Sequence, residues 1–211
     1  MFFETMYEPD NKSLLLQLGV YEQYHPYVVE ASEKYNIKPW VIAGIGSRES
    51  HWGLALKPKG PAGTGDFTPR HCIGRVEKFR NDIMPPDGSG YGRGLMQIDF
   101  DAHEFARTGN WKDPKETIFF AADLLKESAL IIKRRCLSAN ATVVIEGYDP
   151  DQFIRYGLAA YNAGPLAVLT AIRRGVDVDL VTTNGDYSAD VLSRAGWFQR
   201  ALLVGSSTTH G

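Results

Sequence analysis

The sequence predicts a mainly helical (α+β) protein that carries one small β-hairpin. Three observations support this fold class: apolar residues recur at helical spacing, prolines stand at several candidate helix starts, and one glycine-spaced segment fits a hairpin. The chain has 211 residues, of which 44% are hydrophobic and 23% are charged. This composition is typical of a folded globular protein. Because the length suits one domain with extensions, we expect a single domain over residues 1–211.

The helices are predicted in order from their start and stop signals. Residues 1–38 form an N-terminal helical extension, in which the apolar pattern from Leu14 to Tyr35 fits one or two helices. Each later helix opens near an aspartate or a proline that suits a first helical turn. These later helices are expected over about residues 39–52, 113–136 and 149–161, then from 165 and from 186.

Two segments depart from the helical pattern. Residues 88–100 contain glycine-spaced turns followed by Leu95-Met96-Gln97-Ile98, which fits a short β-hairpin. Residues 57–92 are rich in glycine and proline and have weak periodicity. A connection of this length is either functional or partly disordered, so we treat residues 57–92 as an insertion.

Charge and hydropathy exclude several classes of protein. The net charge of −2 gives no overall attraction to nucleic acid, and we expect no nucleic-acid partner. No apolar run approaches the roughly 18 residues that a membrane-spanning helix needs. The first five residues carry an acidic side chain and no basic one, and no long apolar stretch follows. We therefore expect no integral membrane segment and see no signal peptide in this chain.

The metal-binding potential of the sequence is weak. Asp99, Asp101 and His103 are possible ligand types, but no established metal-binding spacing accompanies them, and we expect no metal or other cofactor. Cys72 and Cys136 are too few for a disulfide framework and too far apart for a four-cysteine zinc site. One disulfide bridge and two buried thiols both remain open.

Glu49 is the first candidate for acid–base chemistry. Ile42, Ile45, Glu49 and Trp52 fall on one face of the helix that begins near Pro39. The other members of this face are apolar, so a carboxyl group there is either paired with a basic side chain or held protonated by desolvation. A protonated carboxyl beside an apolar wall is the form that a general acid needs near neutral pH.

Two aspartates flank the glycines of the predicted hairpin. Asp87 precedes Gly90-Tyr91-Gly92-Arg93-Gly94, and Asp99 follows the Leu95–Ile98 run. Together with Glu49 they provide the paired carboxyl groups that glycoside hydrolysis uses. Aspartates beside glycines also serve commonly as turn and cap residues, and this alternative stays open at both positions.

A third candidate region lies where the helix near residue 161 ends. Tyr161 and Asn162 precede Gly164-Pro165 and could present a hydroxyl and an amide to a cleft. An ordinary helix C-terminus with asparagine near the left-handed position explains the same pattern.

Taken in order, three segments resemble the goose-type lysozymes. The segments are Ile42–His51, Gly94–Asp99 and Ala160–Gly164, and the later segment Asp186–Val191 resembles the last helix of that family. The family is related to the lytic transglycosylases. The resemblance spans roughly residues 27–198 and implies a lysozyme-like helical body with a small β-hairpin lining a glycan-binding cleft. The 57–92 insertion is expected near this cleft. The absence of the N-terminal cysteines of animal members favours a microbial or phage source.

The resemblance also implies roles for individual residues. Glu49 matches the general acid, and Asp99 matches a carboxylate that positions the attacking water. Asp87 is the best match to a second such aspartate, with Asp66 and Asp82 as alternatives because the connection from Glu49 to Gly94 is long. The expected substrate-binding residues are Gln97, His103, Tyr161, Asn162 and Tyr187.

The implied activity is hydrolysis, with inversion, of the β-1,4 bond between N-acetylmuramic acid and N-acetylglucosamine. The alternatives are a lytic transglycosylase that forms 1,6-anhydro-muramyl ends, which Asp99 disfavours, and a chitinase of the same fold. The expected partners are peptidoglycan glycan strands, or chitin oligomers for the chitinase. We expect a monomer that acts outside the cytoplasm at the cell wall, whether secreted or delivered by a phage.

Overall fold

The computed structural model describes residues 3–71, 82–137 and 150–207. Most of this part of the chain is helical. Its α-helices are α1 (Lys12–Tyr21), α2 (His25–Tyr35), α3 (Pro39–Ser50), α4 (Glu104–Thr108), α5 (Pro114–Leu137), α6 (Pro150–Ala163), α7 (Pro165–Arg173) and α8 (Tyr187–Ser207). The predicted mainly helical class is confirmed, and the N-terminal helical pattern resolves into two helices.

The β-structure consists of very short strands. β1 (Thr64–Gly65), β4 (Gly92–Arg93) and β5 (Ile98–Asp99) form a three-stranded antiparallel sheet with β4 in the centre. Its register places Gly92 opposite both Gly65 and Asp99. β2 (Arg70–His71) pairs with β3 (Asp82–Ile83) in a separate two-stranded ladder. The predicted β4–β5 hairpin is confirmed, whereas β1, β2 and β3 lie in the 57–92 segment and were not predicted.

Helix α3 is the central element of the core. Most of its residues are buried, and Arg48 and Glu49 in its last turn are partly exposed. α3 ends two residues before the predicted boundary because His51 and Trp52 take left-handed backbone conformations, with φ of 50° and 55°. This turn places the fully buried Trp52 ring edge-on to Tyr21 and stacked on Tyr24.

Helices α3 and α8 cross at a glycine. A Cβ atom on Gly44 would lie 2.6 Å from the main-chain oxygen of Val191, so only glycine permits this close approach. The crossing brings Glu49 of α3 beside Tyr187 at the start of α8, where the tyrosine hydroxyl donates a hydrogen bond to the Glu49 carboxyl.

The first residues of the chain pack against α8. The backbone N–H of Met6 donates to Ser193 Oγ at 2.9 Å, and the Trp197 indole N–H donates to the Glu8 carbonyl at 2.9 Å. Within the described residues, no helix combines the length and the apolar character needed to cross a membrane. Cys136 is buried on α5, and Cys72 lies outside the described residues.

Candidate active site

A cavity of about 760 Å³ is lined by residues from the end of α3, the three-stranded sheet, the end of α6 and the start of α8. Most of the predicted site residues line it. These are Glu49, Gln97, Asp99, Tyr161, Asn162 and Tyr187. Two predicted site residues, Asp87 and His103, are not part of this lining.

Glu49 has the electrostatic surroundings of a proton donor. Burial raises the pKa of its carboxyl to about 7, although the hydrogen bond from Tyr187 and the nearby Arg48 charge act in the opposite direction. Arg48 forms ion pairs with Asp186 at 2.7 Å and with Asp190 at 2.6 Å. Among the described residues, no basic side chain forms an ion pair with Glu49. Of the two alternatives for this carboxyl, pairing with a basic side chain or protonation by desolvation, the structure therefore favours the second.

Two stacked tyrosines lie near the Glu49 carboxyl, and one of them binds it. The Tyr187 hydroxyl donates to Glu49 Oε1, and burial together with the neighbouring carboxyl raises the pKa of Tyr187 well above its usual value. Tyr187 therefore stays protonated and remains a donor. Tyr161 stacks on Tyr187 with 6.4 Å between ring centroids and donates its hydroxyl to the Met96 carbonyl at 2.9 Å. This bond ties α6 to the β4–β5 turn.

Asp99 both lines the cavity and caps a turn. Its Oδ1 accepts the backbone N–H groups of Asp101 at 2.8 Å and Ala102 at 3.0 Å. The Arg70 guanidinium also binds it, with Nη1 at 3.2 Å from Oδ1. Partial burial raises the pKa of Asp99, but the hydrogen bonds from Arg70 and the backbone outweigh burial, so the pKa is lowered overall. The two interpretations of Asp99, cleft carboxylate and turn cap, are therefore compatible.

Asp87 lies outside the cavity lining because Arg93 binds it. The Arg93 side chain is fully buried and its Nη1 lies 2.7 Å from Asp87 Oδ2, while half of the Asp87 side chain is exposed. Of the two alternatives named from the sequence, Asp66 does line the cavity, and the side chain of Asp82 falls outside the described residues. The geometry thus favours Asp66 over Asp87 as a neighbour of Asp99.

His103 is not part of the cavity lining. It precedes α4, and its ring packs edge-on against Phe120 at 5.6 Å between centroids. Burial lowers the pKa of this imidazole. Its position therefore supports a packing role.

Gln97 lies across the sheet because two glycines leave room for it. A Cβ on Gly65 or on Gly92 would lie 2.2 Å from Gln97 Oε1, and these glycines face each other across β1 and β4. Gln97 itself has a left-handed backbone with φ of 48°, and its amide donates to the Gly94 carbonyl at 2.9 Å. The space above these two glycines is thus filled by a side chain of the protein.

Asn162 connects the end of α6 to the segment before α8. Its Oδ1 accepts the backbone N–H of Thr183 at 2.8 Å. Thr183 and Asn184 also line the cavity. This contact holds the segment that leads into Tyr187.

Several cavity residues were missed from the sequence. They are Arg48, His51, Arg70, Leu124, Thr183, Asn184 and Arg194. Arg194 had a local signal, since it lies four residues after Asp190 and pairs with it at 2.7 Å. Arg70 lies four residues after Asp66 and pairs with it, but it stands in a segment without periodicity, and its other partners, Asp99 and Asp101, are distant along the chain. Among the described residues, no group of three or more histidine, cysteine, aspartate or glutamate side chains is arranged to hold a metal ion.

Comparison with known proteins identifies relatives over most of the chain. The family model described as "Lysozyme g" matches residues 77–201, a range that contains Asp99, Tyr161 and Tyr187 and begins after Glu49. The chain is 31% identical to lysozyme g of Takifugu rubripes over 84% of this chain and 75% of that protein. It is 30% identical to lysozyme g of Gallus gallus over 87% of this chain and 67% of that protein.

A further relative agrees with this assignment. Lysozyme g of Struthio camelus is 28% identical over 85% of this chain and 67% of that protein. These relatives come from vertebrates, so the microbial or phage source expected from the sequence stays a prediction. The chain belongs to the lysozyme g family, the goose-type lysozymes, and is a glycoside hydrolase.

Proposed function

We propose that the protein hydrolyses the β-1,4 bond between N-acetylmuramic acid and N-acetylglucosamine in peptidoglycan, with inversion at the anomeric carbon. One observation carries the proposal: Glu49, with a carboxyl pKa of about 7, lines the same cavity as Asp66 and Asp99. A protonated acid and ionised carboxylates in one cavity are the groups that hydrolysis of a glycoside requires.

Glu49 is the general acid of this proposal. Tyr187 donates to Oε1, so the carboxylic proton resides on Oε2. From there it passes to the glycosidic oxygen as the bond to the anomeric carbon breaks through an oxocarbenium-like state. Below pH 7 most of the Glu49 population carries this proton, which favours activity at acid to neutral pH.

Asp99 is the proposed base that binds and deprotonates the attacking water, with Asp66 in place of Asp87 as the second carboxylate. The lowered pKa of Asp99 keeps it ionised where Glu49 is still protonated. An inverting enzyme separates acid and base by roughly 6.5–9.5 Å, which leaves room for the water. Peptidoglycan as substrate places this activity at the cell wall, outside the cytoplasm, and we propose that a monomer performs it.

The first experiment tests the acid. Glu49→Gln keeps the shape of the side chain but removes the proton, so the rate of peptidoglycan cleavage should fall by roughly 10²–10⁴. Glu30→Gln is the matched control, because Glu30 is an exposed glutamate paired with Lys115 and should retain full activity. A Glu49→Gln activity within about tenfold of the unchanged protein would refute the assignment.

The second experiment tests the water-activating side. Asp99→Asn should lower kcat with little change in KM, because a base acts in the transition state. Asp66→Asn should show a smaller loss of the same kind, and Asp87→Asn should reduce stability more than kcat. The control is Asp113→Asn, since Asp113 caps α5 through the Glu116 N–H at 3.0 Å and asparagine is an equally good cap.

Product analysis separates hydrolysis from the alternatives. Mass spectrometry distinguishes free reducing ends from 1,6-anhydro ends, and proton NMR soon after mixing reports the anomer formed. We expect reducing ends of inverted configuration. Anhydro-muramyl ends as the main product would favour a transglycosylase, and faster cleavage of chitin oligomers than of peptidoglycan would favour a chitinase.

A further inference from the structure

Arg70 forms a junction of three carboxylates at one side of the cavity. Its Nη1 donates to Asp99 Oδ1 at 3.2 Å and to Asp101 Oδ2 at 3.0 Å. Its Nη2 donates to Asp66 Oδ2 at 2.9 Å and also to Asp99 Oδ2. Both terminal nitrogens therefore bind Asp99, which fixes the plane of that carboxylate relative to the guanidinium.

The Arg70 guanidinium also stacks on an aromatic ring. Its central carbon lies 3.8 Å from the centroid of the buried Tyr91 ring. The Tyr91 hydroxyl donates to the Ile83 carbonyl, which fixes the ring against β3. A planar cation stacked on an aromatic face keeps its orientation better than a flexible ammonium would, so Arg70 is a rigid support for its carboxylates.

The shared nitrogen brings Asp66 and Asp99 close to each other. Oδ2 of each residue accepts a hydrogen bond from Nη2 of Arg70. The distance between the two oxygens therefore cannot exceed the sum of the two hydrogen-bond lengths. One water molecule can hydrogen-bond to two acceptors at such a spacing. Both carboxylates also line the cavity, which allows a water held by them to face a bound sugar.

We propose that Arg70, supplied by the 57–92 segment, is a positioning residue that holds Asp66 and Asp99 together around the attacking water. The inference rests on the proposed hydrolytic function and deepens it. In this role Arg70 takes no direct part in bond cleavage or in the proton transfer from Glu49.

Loss of Arg70 should change the acid side of the pH profile. The charged and titratable groups around Asp99 are Arg70 on β2, Asp66 after β1, Asp101 in the following turn and His103 before α4. Of these, Arg70 is the one in direct ionic contact with Asp99. Removing it leaves three neighbouring carboxylates without their cation, so the pKa of Asp99 rises and Asp99 loses its charge at a higher pH.

The experiment compares Arg70→Gln, Arg70→Lys and a matched control. Arg155→Gln is the control, since Arg155 is 35% exposed against 37% for Arg70 and also bridges two aspartates, Asp177 and Asp179, but lies outside the cavity lining. Each variant is checked for folding by thermal denaturation. kcat and KM are then measured with soluble alternating N-acetylglucosamine–N-acetylmuramic acid chains over acid to alkaline pH, and the Asp99 carboxyl is titrated by carbon NMR.

We expect Arg70→Gln to lower kcat roughly 10–100-fold, as for a small displacement of a reacting group, with KM within about twofold. The acid limb of the profile and the Asp99 titration should both move toward neutral pH, while the alkaline limb stays near pH 7, where Glu49 titrates. Arg70→Lys should move the acid limb part of the way back to its original pH, because lysine keeps the positive charge. It should recover little of kcat, because lysine cannot form the two parallel hydrogen bonds of a guanidinium. Arg155→Gln should change neither limb.

Other results would overturn the inference in distinguishable ways. An unmoved acid limb with kcat within about twofold would make Arg70 an exposed ion-pair residue without a role in the reaction. A raised KM at unchanged kcat would make it a substrate-binding residue instead. If the unchanged protein cleaved no glycan at any pH, the proposed function would fail as well, whereas active wild-type enzyme beside unaffected Arg70 variants would refute the positioning role alone.

Discussion

The hydrogen bond between Tyr187 and Glu49 runs from the phenol to the carboxyl. A donor to a carboxyl oxygen stabilises the ionised form and so lowers the pKa of the acid. Burial acts in the opposite direction and is the larger effect, which leaves the pKa of Glu49 at about 7. The tyrosine therefore lowers the upper end of the pH range in which Glu49 carries a proton.

Tyr187→Phe should move the alkaline limb of the pH–rate profile to higher pH. The substitution keeps the buried ring and removes only the donor that lowers the Glu49 pKa. Measuring kcat/KM on peptidoglycan from neutral to alkaline pH checks this expectation. Tyr161→Phe is the comparison, because its hydroxyl binds the Met96 carbonyl rather than Glu49, and it should leave that limb in place. A Tyr187→Phe profile shifted to lower pH would contradict the argument.

At the scale of elements, the crossing of α3 and α8 determines where Glu49 lies. Gly44→Ala should reduce the free energy of unfolding by about 1–3 kcal/mol, because the added Cβ would lie 2.6 Å from the Val191 main-chain oxygen. The gain in helix propensity, about 1 kcal/mol or less, does not offset this clash. Urea denaturation measures the change.

Gly19 provides the control for that prediction. It lies on the exposed side of α1, and a Cβ there would meet no atom within 4 Å. Gly19→Ala should therefore stabilise the protein by about 0.5–1 kcal/mol. A stabilising Gly44→Ala would mean that the two helices can move apart at no cost, and that their spacing does not depend on glycine.

The elements differ in how well the sequence predicts them. Helices such as α3 and α5 open on a proline and extend over several turns, so capping and periodicity locate them within about two residues. β1, β2 and β3 have two residues each, too few for any alternation to be visible. Their pairing depends on partners far along the chain, which a local pattern does not contain.

At the scale of the whole molecule, Glu49 should lower stability as the pH rises. Its folded-state pKa of about 7 lies above the ordinary 4.5, so the unfolded chain ionises first and stability falls between these two pH values. Glu49→Gln should therefore raise the free energy of unfolding at pH 8 by up to about 3 kcal/mol and change it little at pH 4.

Denaturant unfolding at the two pH values checks this expectation. Glu30→Gln again serves as the control, since no comparable burial surrounds that exposed residue. Equal stabilisation by Glu49→Gln at both pH values would show that the gain comes from packing rather than from ionisation.

The sequence predicted one side of the site better than the other. Glu49, Tyr161 and Asn162 belong to helices whose motifs are continuous in the chain, so their resemblance to a family could be recognised directly. Asp66 was only an alternative, and Arg70 was not identified, because the 57–92 segment is irregular and its contacts to Asp99 depend on tertiary folding. Asp87 is bound by the buried Arg93 six residues later, and the sequence does not show that Arg93 is buried.

The 57–92 segment supplies Asp66 and Arg70, whereas the proton donor belongs to the helical body. A variant in which a short turn replaces this segment would keep the acid and lose the support for the water. Bond cleavage and the capture of the resulting cation would then be uncoupled, and the muramyl 6-hydroxyl of the substrate could compete with water for the anomeric carbon. The ratio of anhydro to reducing ends would then depend on a connection between two elements, so that one helical scaffold could serve either outcome.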